Sequence, residues 1–225
     1  MKKIIVGLDG MDRTGKSSLG ASRSLKASGV FSDMIGQDFI SFNGHENRYS
    51  AIAKECFKDT SNGISAAVSK GVAIAELLEG IEHMNSFGYD GLIMPRTFAS
   101  SIVYMCMRGD YTEAEILMQD VRHILEKFEI SYVGFYLEIS KETMIERGSK
   151  EDSYEIVKYN HVLNAIDYCT KRHRCAFTHL ERVDVNNSSI DSTLYEVVTR
   201  TRKFIELGGR DMDHDEYAIE YVEGE

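Results

Sequence analysis

The chain has 225 residues, of which 43% are hydrophobic and 28% are charged. This composition is typical of a globular protein with an ordinary core and excludes wholesale disorder. The formal net charge of −10 argues against a broad basic surface for nucleic-acid phosphates. No apolar stretch approaches the ~18 residues of a membrane span. We therefore expect a cytoplasmic protein without membrane contact, or one in the host cytoplasm if it is viral, with its four cysteines reduced.

Strands and helices are predicted to alternate along the chain. Short apolar runs predict strands at Lys2–Leu8, within Met34–Phe42, and at Gly91–Met94, Tyr132–Ile139 and Arg182–Val185. Helical spacing predicts helices at Lys16–Ser28, Arg48–Lys58, Ile64–Phe87, Thr112–Phe128, Tyr154–Lys171 and Ile190–Leu207. Gly29, Gly88 and Gly208 are the expected C-terminal stops, and Ser140 is an expected N-cap.

This alternation predicts an α/β fold of three layers, with a mostly parallel five-stranded sheet and helices on both faces. Ligands of such sheets bind at the carboxyl ends of the strands.

Residues Gly10 to Ser17 read Gly-Met-Asp-Arg-Thr-Gly-Lys-Ser and fit the phosphate-loop pattern G-x-x-x-x-G-K-[ST]. The segment follows a predicted strand and opens a predicted helix, which is the context that the pattern requires. Its glycines let backbone N–H groups turn toward an anion, and the helix start adds partial positive charge. We expect Lys16 to reach the β- and γ-phosphates of ATP and Ser17 to offer a hydroxyl to Mg²⁺. The sequence therefore predicts a P-loop NTPase fold.

The segment from Ile4 to Ser18 also resembles the opening of thymidylate kinases, in which a strand and an acidic residue precede G-x-D-R-x-G-K-[ST]-T. The arginine inside the loop resembles the eukaryotic and poxviral branch of that family. Four further segments follow in the family's order, at residues 42–48, 92–104, 136–147 and 183–185. The resemblance implies a kinase domain over residues 1–208, a lid near residues 147–153, and an acidic tail at residues 209–225.

The resemblance implies a role for each matching residue. The donor ATP would be held by Gly10, Met11, Asp12, Arg13, Thr14, Gly15, Lys16, Ser17, Ser18 and Arg147. The acceptor would be held by Asp12, Phe42, Arg48 and Arg96, and the metal by Ser17 with Asp9 as a substitute ligand. Arg13, Lys16 and Arg96 would be catalytic, because phosphoryl transfer depends on cations placed around a charge that spreads over the equatorial oxygens.

Two departures from the family separate this chain from its relatives. The family's aspartate before the arginine of the third strand is Pro95 here, so metal handling must differ or Asp9 must substitute. The family's base-stacking phenylalanine and base-reading arginine fall near Gly71–Val72 and Ala75–Glu76, where neither residue type occurs. Lys70 or Glu76 could replace that arginine, which would suit another base or a modified one.

The resemblance implies phosphoryl transfer from ATP to a deoxynucleoside monophosphate, dTMP or a related or modified pyrimidine nucleotide. It also implies a homodimer, for which the apolar helix Thr112–Phe128 is a candidate face. An alternative is a phage-type kinase acting on 5-hydroxymethylpyrimidine in DNA, with residues 171–174 (Lys-Arg-His-Arg) facing the DNA. A third is a non-catalytic nucleotide-binding module, which Pro95 favours.

The last fifteen residues hold seven acids and neither Lys nor Arg. Two interpretations of this segment stay open. It is a solvated acidic tail, or it is an autoinhibitory arm that covers the phosphate site.

Overall fold

The computed structural model describes residues 2–11, 13–20, 25–43, 64–172 and 178–208. Several predictions lie outside these residues: Asp12, Arg48, the helix Arg48–Lys58, residues 173 and 174 of the basic strip at residues 171–174, and the acidic tail.

Five strands form one sheet in which every neighbouring pair is parallel. The strands are β1 (Lys3–Gly10), β2 (Phe39–Ser41), β3 (Gly91–Pro95), β4 (Ile130–Glu138) and β5 (Thr178–Asp184), in the order β2-β3-β1-β4-β5. The central strand β1 is buried along almost its whole length, as expected for a strand covered on both faces. The predicted five-stranded parallel sheet is therefore confirmed.

Helices cover both faces of the sheet. The described helices are α1 (Lys16–Gly20), α2 (Leu25–Ile35), α3 (Ile64–Ser86), α4 (Phe98–Arg108), α5 (Tyr111–Lys127), α6 (Lys141–Glu146), α7 (Tyr154–Val157), α8 (Tyr159–Arg172) and α9 (Ile190–Glu206). One layer contains α1, α2 and α9, and the other contains α3, α4, α5 and α8. The predicted three-layer architecture is confirmed.

Strand β5 begins at Thr178, four residues before its predicted start at Arg182, and the helices differ from the prediction in three places. Gly29 lies inside α2, which continues to Ile35 and is followed by Gly36 at φ 76°. The helix continues because Phe31 is fully buried and packs on Phe39, with ring centroids 5.2 Å apart. Burying one such side chain outweighs the cost of about 1 kcal/mol for a glycine within a helix.

The other two differences lie on the opposite layer. The single helix predicted at Tyr154–Lys171 is divided at Lys158 into α7 and α8. Helix α4 was not predicted, although Thr97 caps it by accepting a hydrogen bond from the backbone N–H of Ala99 at 3.1 Å. By contrast, Ser140 caps α6 as predicted and accepts from Thr143 N at 3.1 Å.

The apolar face of α5 does not serve as a free surface. Its residues Leu117, Val121 and Leu125 are fully buried, and α5 packs against α3 and α4 within the same chain. This face is therefore unavailable to a second copy. Among the described helices, none has both the length and the apolar character needed to cross a bilayer.

Candidate functional site

The loop between β1 and α1 lies at the carboxyl edge of the sheet. Gly10 and Gly15 have φ values of 145° and 91°, a region that favours glycine. A Cβ atom at Gly10 would lie 2.5 Å from the carbonyl oxygen of Leu137, so no larger residue fits where the chain leaves the sheet. The backbone N–H groups of Ser18 and Leu19 both donate to the carbonyl of Gly15 at 2.9 Å, which begins the helix immediately after the loop.

Lys16 is buried inside this loop. Its Nζ donates to the carbonyl oxygen of Met11 at 2.5 Å and lies 3.3 Å from Oγ1 of Thr14. The Thr14 hydroxyl in turn donates to the same carbonyl at 2.9 Å. The loop thus encloses one ammonium group among weak neutral acceptors that phosphate oxygens could replace. The side chain of Ser17 is outside the described atoms, so its contact with Mg²⁺ stays a prediction.

Arg13 and Arg147 connect the phosphate loop to the predicted lid. Nη2 of Arg13 donates to the carbonyl of Gly148 at 3.3 Å, and Nη1 of Arg147 donates to the carbonyl of Arg13 at 3.2 Å. Nη2 of Arg147 also donates to the carbonyls of Val185 at 2.7 Å and Asn186 at 3.2 Å. These contacts join three segments that are distant in sequence: the phosphate loop, the turn after α6, and the loop after β5.

A cavity of about 430 Å³ lies beside these contacts. It is bounded by the phosphate loop, by Arg147 and by the segment that leads into α9, and a volume of this size can hold a small ligand. The structure therefore gathers several predicted donor-site residues around one space; its lining includes Arg13, Thr14, Gly15, Ser18 and Arg147.

Asp9 is fully buried at the end of β1 and is surrounded by hydrogen-bond donors. Its Oδ1 accepts from Thr97 N at 2.8 Å, from Ser100 N at 3.1 Å and from Ser100 Oγ at 2.6 Å. Its Oδ2 accepts from Thr97 Oγ1 at 2.7 Å and from the Tyr132 hydroxyl at 3.5 Å. The carboxylate therefore ties the end of β1 to the start of α4. The metal role expected for Asp9 stays a prediction.

Two glycines make room for the tyrosine in this cluster. A Cβ atom at Gly7 or Gly134 would overlap the Tyr132 ring, which packs on Phe98 with a centroid distance of 4.6 Å. Burial, and then the nearby charge of Asp9, raise the pKa of Tyr132 well above its usual value, so its hydroxyl stays protonated. A protonated hydroxyl can donate to the carboxylate and thus stabilise its charge.

Arg96 lies at the end of β3, between Pro95 and Thr97, and is partly buried. Its φ is 65°, and Arg13 has the same value. Positive φ is uncommon for residues other than glycine and tends to occur at functional sites. Both arginines that were predicted to be catalytic therefore have this backbone conformation.

Phe42 lies on the α3 side of the sheet. Its backbone N–H donates to the carbonyl of Ile93 at 2.8 Å, and its ring centroid is 5.6 Å from that of His83 on α3. Phe42 therefore packs beside the helix in which the family's base-reading residues were expected.

Of the two candidate replacements on α3, Lys70 is already paired. Its Nζ lies 2.9 Å from Oε2 of Glu113 on α5. Glu76 is buried, and no described residue donates a hydrogen bond to its Oε1. Burial, with a smaller contribution from Glu79, raises the pKa of Glu76 from 4.5 to about 7.

The described residues contain no group of three or more His, Cys, Asp or Glu side chains arranged to hold a metal ion.

Comparison with known proteins identifies the fold. Thymidylate kinase from Candida albicans aligns over 92% of this chain and 93% of its own, with a TM-score of 0.52 and 16% sequence identity. Polyphosphate kinase 2 from Arthrobacter aurescens TC1 aligns over 92% of this chain and 69% of its own, with a TM-score of 0.51 and 14% identity. No protein-family model and no curated protein match the sequence. The resemblance to thymidylate kinases is thus confirmed at the level of the fold.

The hydrogen bonds of Asp9 lead to the first prediction. In Asp9→Asn, one acceptor oxygen becomes an NH₂ group that faces donors, so we expect the free energy of unfolding to fall by about 2 kcal/mol. Urea denaturation without nucleotide or metal measures this effect, and Asp33→Asn on the exposed side of α2 is the control. Unchanged stability with weakened Mg²⁺ binding would instead make Asp9 a metal ligand.

The burial of Glu76 leads to the second prediction. A folded-state pKa above the unfolded value means that stability is greatest below about pH 4.5 and is lost as pH rises through about 7. Glu76→Gln removes the ionisation, so near pH 8 it should stabilise the protein by on the order of 3 kcal/mol. Thermal unfolding at several pH values measures the difference, which should vanish near pH 4. A constant difference at every pH would contradict the burial of an ionising group.

Proposed function

We propose that this protein is a nucleotide kinase that transfers the γ-phosphoryl group of ATP to a deoxynucleoside monophosphate, dTMP or a related pyrimidine nucleotide. The observation that carries the proposal is the buried ammonium of Lys16 inside the loop that Gly10 and Gly15 allow to turn. This loop borders the cavity lined by Arg13 and Arg147. Such a loop offers a cation and backbone N–H groups to an anion. The kinase fold of the chain supports the same conclusion.

The donor nucleotide would occupy the loop and the adjoining cavity. Its phosphates would take the place of the Met11 carbonyl and the Thr14 hydroxyl as partners of the Lys16 ammonium, because charged acceptors bind an ammonium more strongly than neutral ones. Arg147 would border the donor base or sugar, since it lies on the cavity wall. Mg²⁺ would neutralise the phosphates when bound, and Ser17 is its expected protein ligand.

The acceptor would approach from the other side of the loop. Arg96 emerges at the carboxyl end of β3, next to the strand that leads into the loop, and would hold the acceptor phosphate. Arg13 would bridge the donor and acceptor phosphates and stabilise the charge on the transferring group. Asp12 and Arg48, which lie outside the described residues, and Phe42 keep their predicted acceptor roles. A homodimer also stays a prediction of the resemblance.

An assay of ADP formation tests the proposal. With ATP, Mg²⁺ and each deoxynucleoside monophosphate in turn, at least one acceptor should yield ADP and the matching diphosphate. Lys16→Ala should lower kcat by on the order of 10³-fold or more, since it removes the only described ammonium within the loop. Lys203→Ala, an exposed lysine on α9, is the control. ATP binding without transfer to any acceptor would instead support a non-catalytic nucleotide-binding module.

Arg13→Ala separates binding from catalysis. If Arg13 acts on the transferring group, kcat should fall by roughly 10³-fold while the Kd for ATP changes by less than about tenfold. Turnover kinetics and equilibrium titration with ATP measure the two effects. Arg202→Ala, an exposed arginine on α9, is the matched control. Equal losses in both quantities would limit Arg13 to ground-state binding.

A further inference from the structure

The buried side of α3 contains one carboxyl group that the structure leaves without a function. The buried positions of this helix are otherwise small or apolar: Ala66, Ser69, Ala73, Leu77, Gly80, Ile81 and Met84. Glu76 lies within this stripe with a relative exposure of 9%, and no described residue donates to its Oε1. Buried polar atoms are nearly always paired, so this acceptor atom calls for a donor that the described residues do not supply.

The contacts around Gly80 show opposite which residues of β3 the side chain of Glu76 is placed. A Cβ atom at Gly80 would lie 2.9 Å from Leu92 Cδ2 and 3.5 Å from Met94 Sδ, so this part of α3 packs on the middle of β3. A helix that joins two parallel strands packs antiparallel to them. Glu76 is one turn earlier in α3, about 6 Å nearer the carboxyl edge, which corresponds to about two strand residues. It therefore lies level with Pro95 and Arg96.

Phe42 packs against the same part of α3. The Cβ position at Gly80 is 3.3 Å from Cδ1 of Phe42, and this ring is only partly buried. The aromatic ring of Phe42 and the Glu76 carboxyl group, whose Oε1 has no donor among the described residues, thus lie on the α3 side of the sheet, near the end of β3 where Arg96 follows. Lys70 does not neutralise the carboxyl group, because its ammonium is held by Glu113.

We infer that Glu76 reads the acceptor base and selects bases that carry an exocyclic amino group, such as cytosine, over bases with a carbonyl group at that position, such as uracil and thymine. This inference rests on the proposed function. A carboxylate only accepts hydrogen bonds, so it pairs with an N–H₂ group and repels a carbonyl oxygen. Carboxylate side chains make this contact with the N4 amino group of cytosine. The residue that departs from the thymidylate kinase pattern would thus change which base is accepted.

The nucleotides dCMP and dUMP provide the sharpest test, because their bases differ only in the amino or carbonyl group at C4 and in the proton at N3. We expect kcat/KM with ATP and Mg²⁺ near pH 8 to favour dCMP over dUMP by roughly tenfold or more. In Glu76→Gln this ratio should fall to within about threefold, because the amide both donates and accepts hydrogen bonds. Glu82→Gln, which changes an exposed carboxylate on the same helix, should behave as the wild type.

The outcomes separate this inference from the proposed function. ADP formation with a preference for dUMP or dTMP, or a ratio that Glu76→Gln leaves unchanged, overturns the inference and leaves the kinase proposal standing. If no acceptor yields ADP, the kinase proposal fails. The Kd values of dCMP and dUMP for the wild type, Glu76→Gln and Glu82→Gln then decide the inference. Tighter binding of dCMP that depends on Glu76 supports it; equal binding, or no binding, overturns it.

Discussion

The contact between the Asp9 carboxylate and the start of α4 sets the geometry on which the candidate site depends. Asp9 lies in the buried run of β1 and directly precedes Gly10, where the strand ends and the phosphate loop begins. Of its donors, Thr97 directly follows Arg96 at the end of β3, and Ser100 lies in the first turn of α4. One carboxylate therefore fixes the exit points of two neighbouring strands. Because the exit of β1 positions Lys16 and the exit of β3 positions Arg96, their separation depends on this junction.

The junction also explains how Arg96 keeps an uncommon backbone conformation. Its N–H donates to the Leu8 carbonyl at 2.9 Å, and the next residue, Thr97, is bound to Asp9 through both its N–H and its hydroxyl. Conformations of this kind cost about 1–3 kcal/mol and persist only where surrounding contacts impose them. The buried hydrogen bonds of Asp9 supply such contacts.

By contrast, Arg13 is held by two hydrogen bonds that are exposed to water. Its side chain donates to the carbonyl of Gly148, and its own carbonyl accepts from Arg147. Exposed contacts of charged side chains contribute little, so the turn after α6 is joined to the loop more weakly than β3 is joined to β1.

The sequence predicted the parts of the structure that depend on local pattern. The apolar run at residues 4–8 and the glycines at 10 and 15 predicted β1 and the loop, because strand burial and positive φ select those residue types directly. Gly29 was wrongly predicted to end a helix, because burial of Phe31 two residues later depends on the distant Phe39. Likewise, the donors to Asp9 lie 88 to 123 positions away along the chain. No local pattern predicts such a partner set.

Glu76 shows where sequence and structure together give more than either gives alone. In the sequence, an acid within a stripe of Ala, Ser, Leu and Gly residues is visible, but a solvated position explains it equally well. The structure buries the side chain, and none of the described residues donates to its Oε1. Ionisable groups whose pKa is shifted by burial are common at functional sites. The same edge lacks the family's strand-end aspartate, since Pro95 takes its place. Moving a carboxyl group from the strand end to the facing helix would remove a charge near the reacting phosphates and place one beside the acceptor base. In this chain, the acidic group at the acceptor side would then act on specificity and not on metal binding.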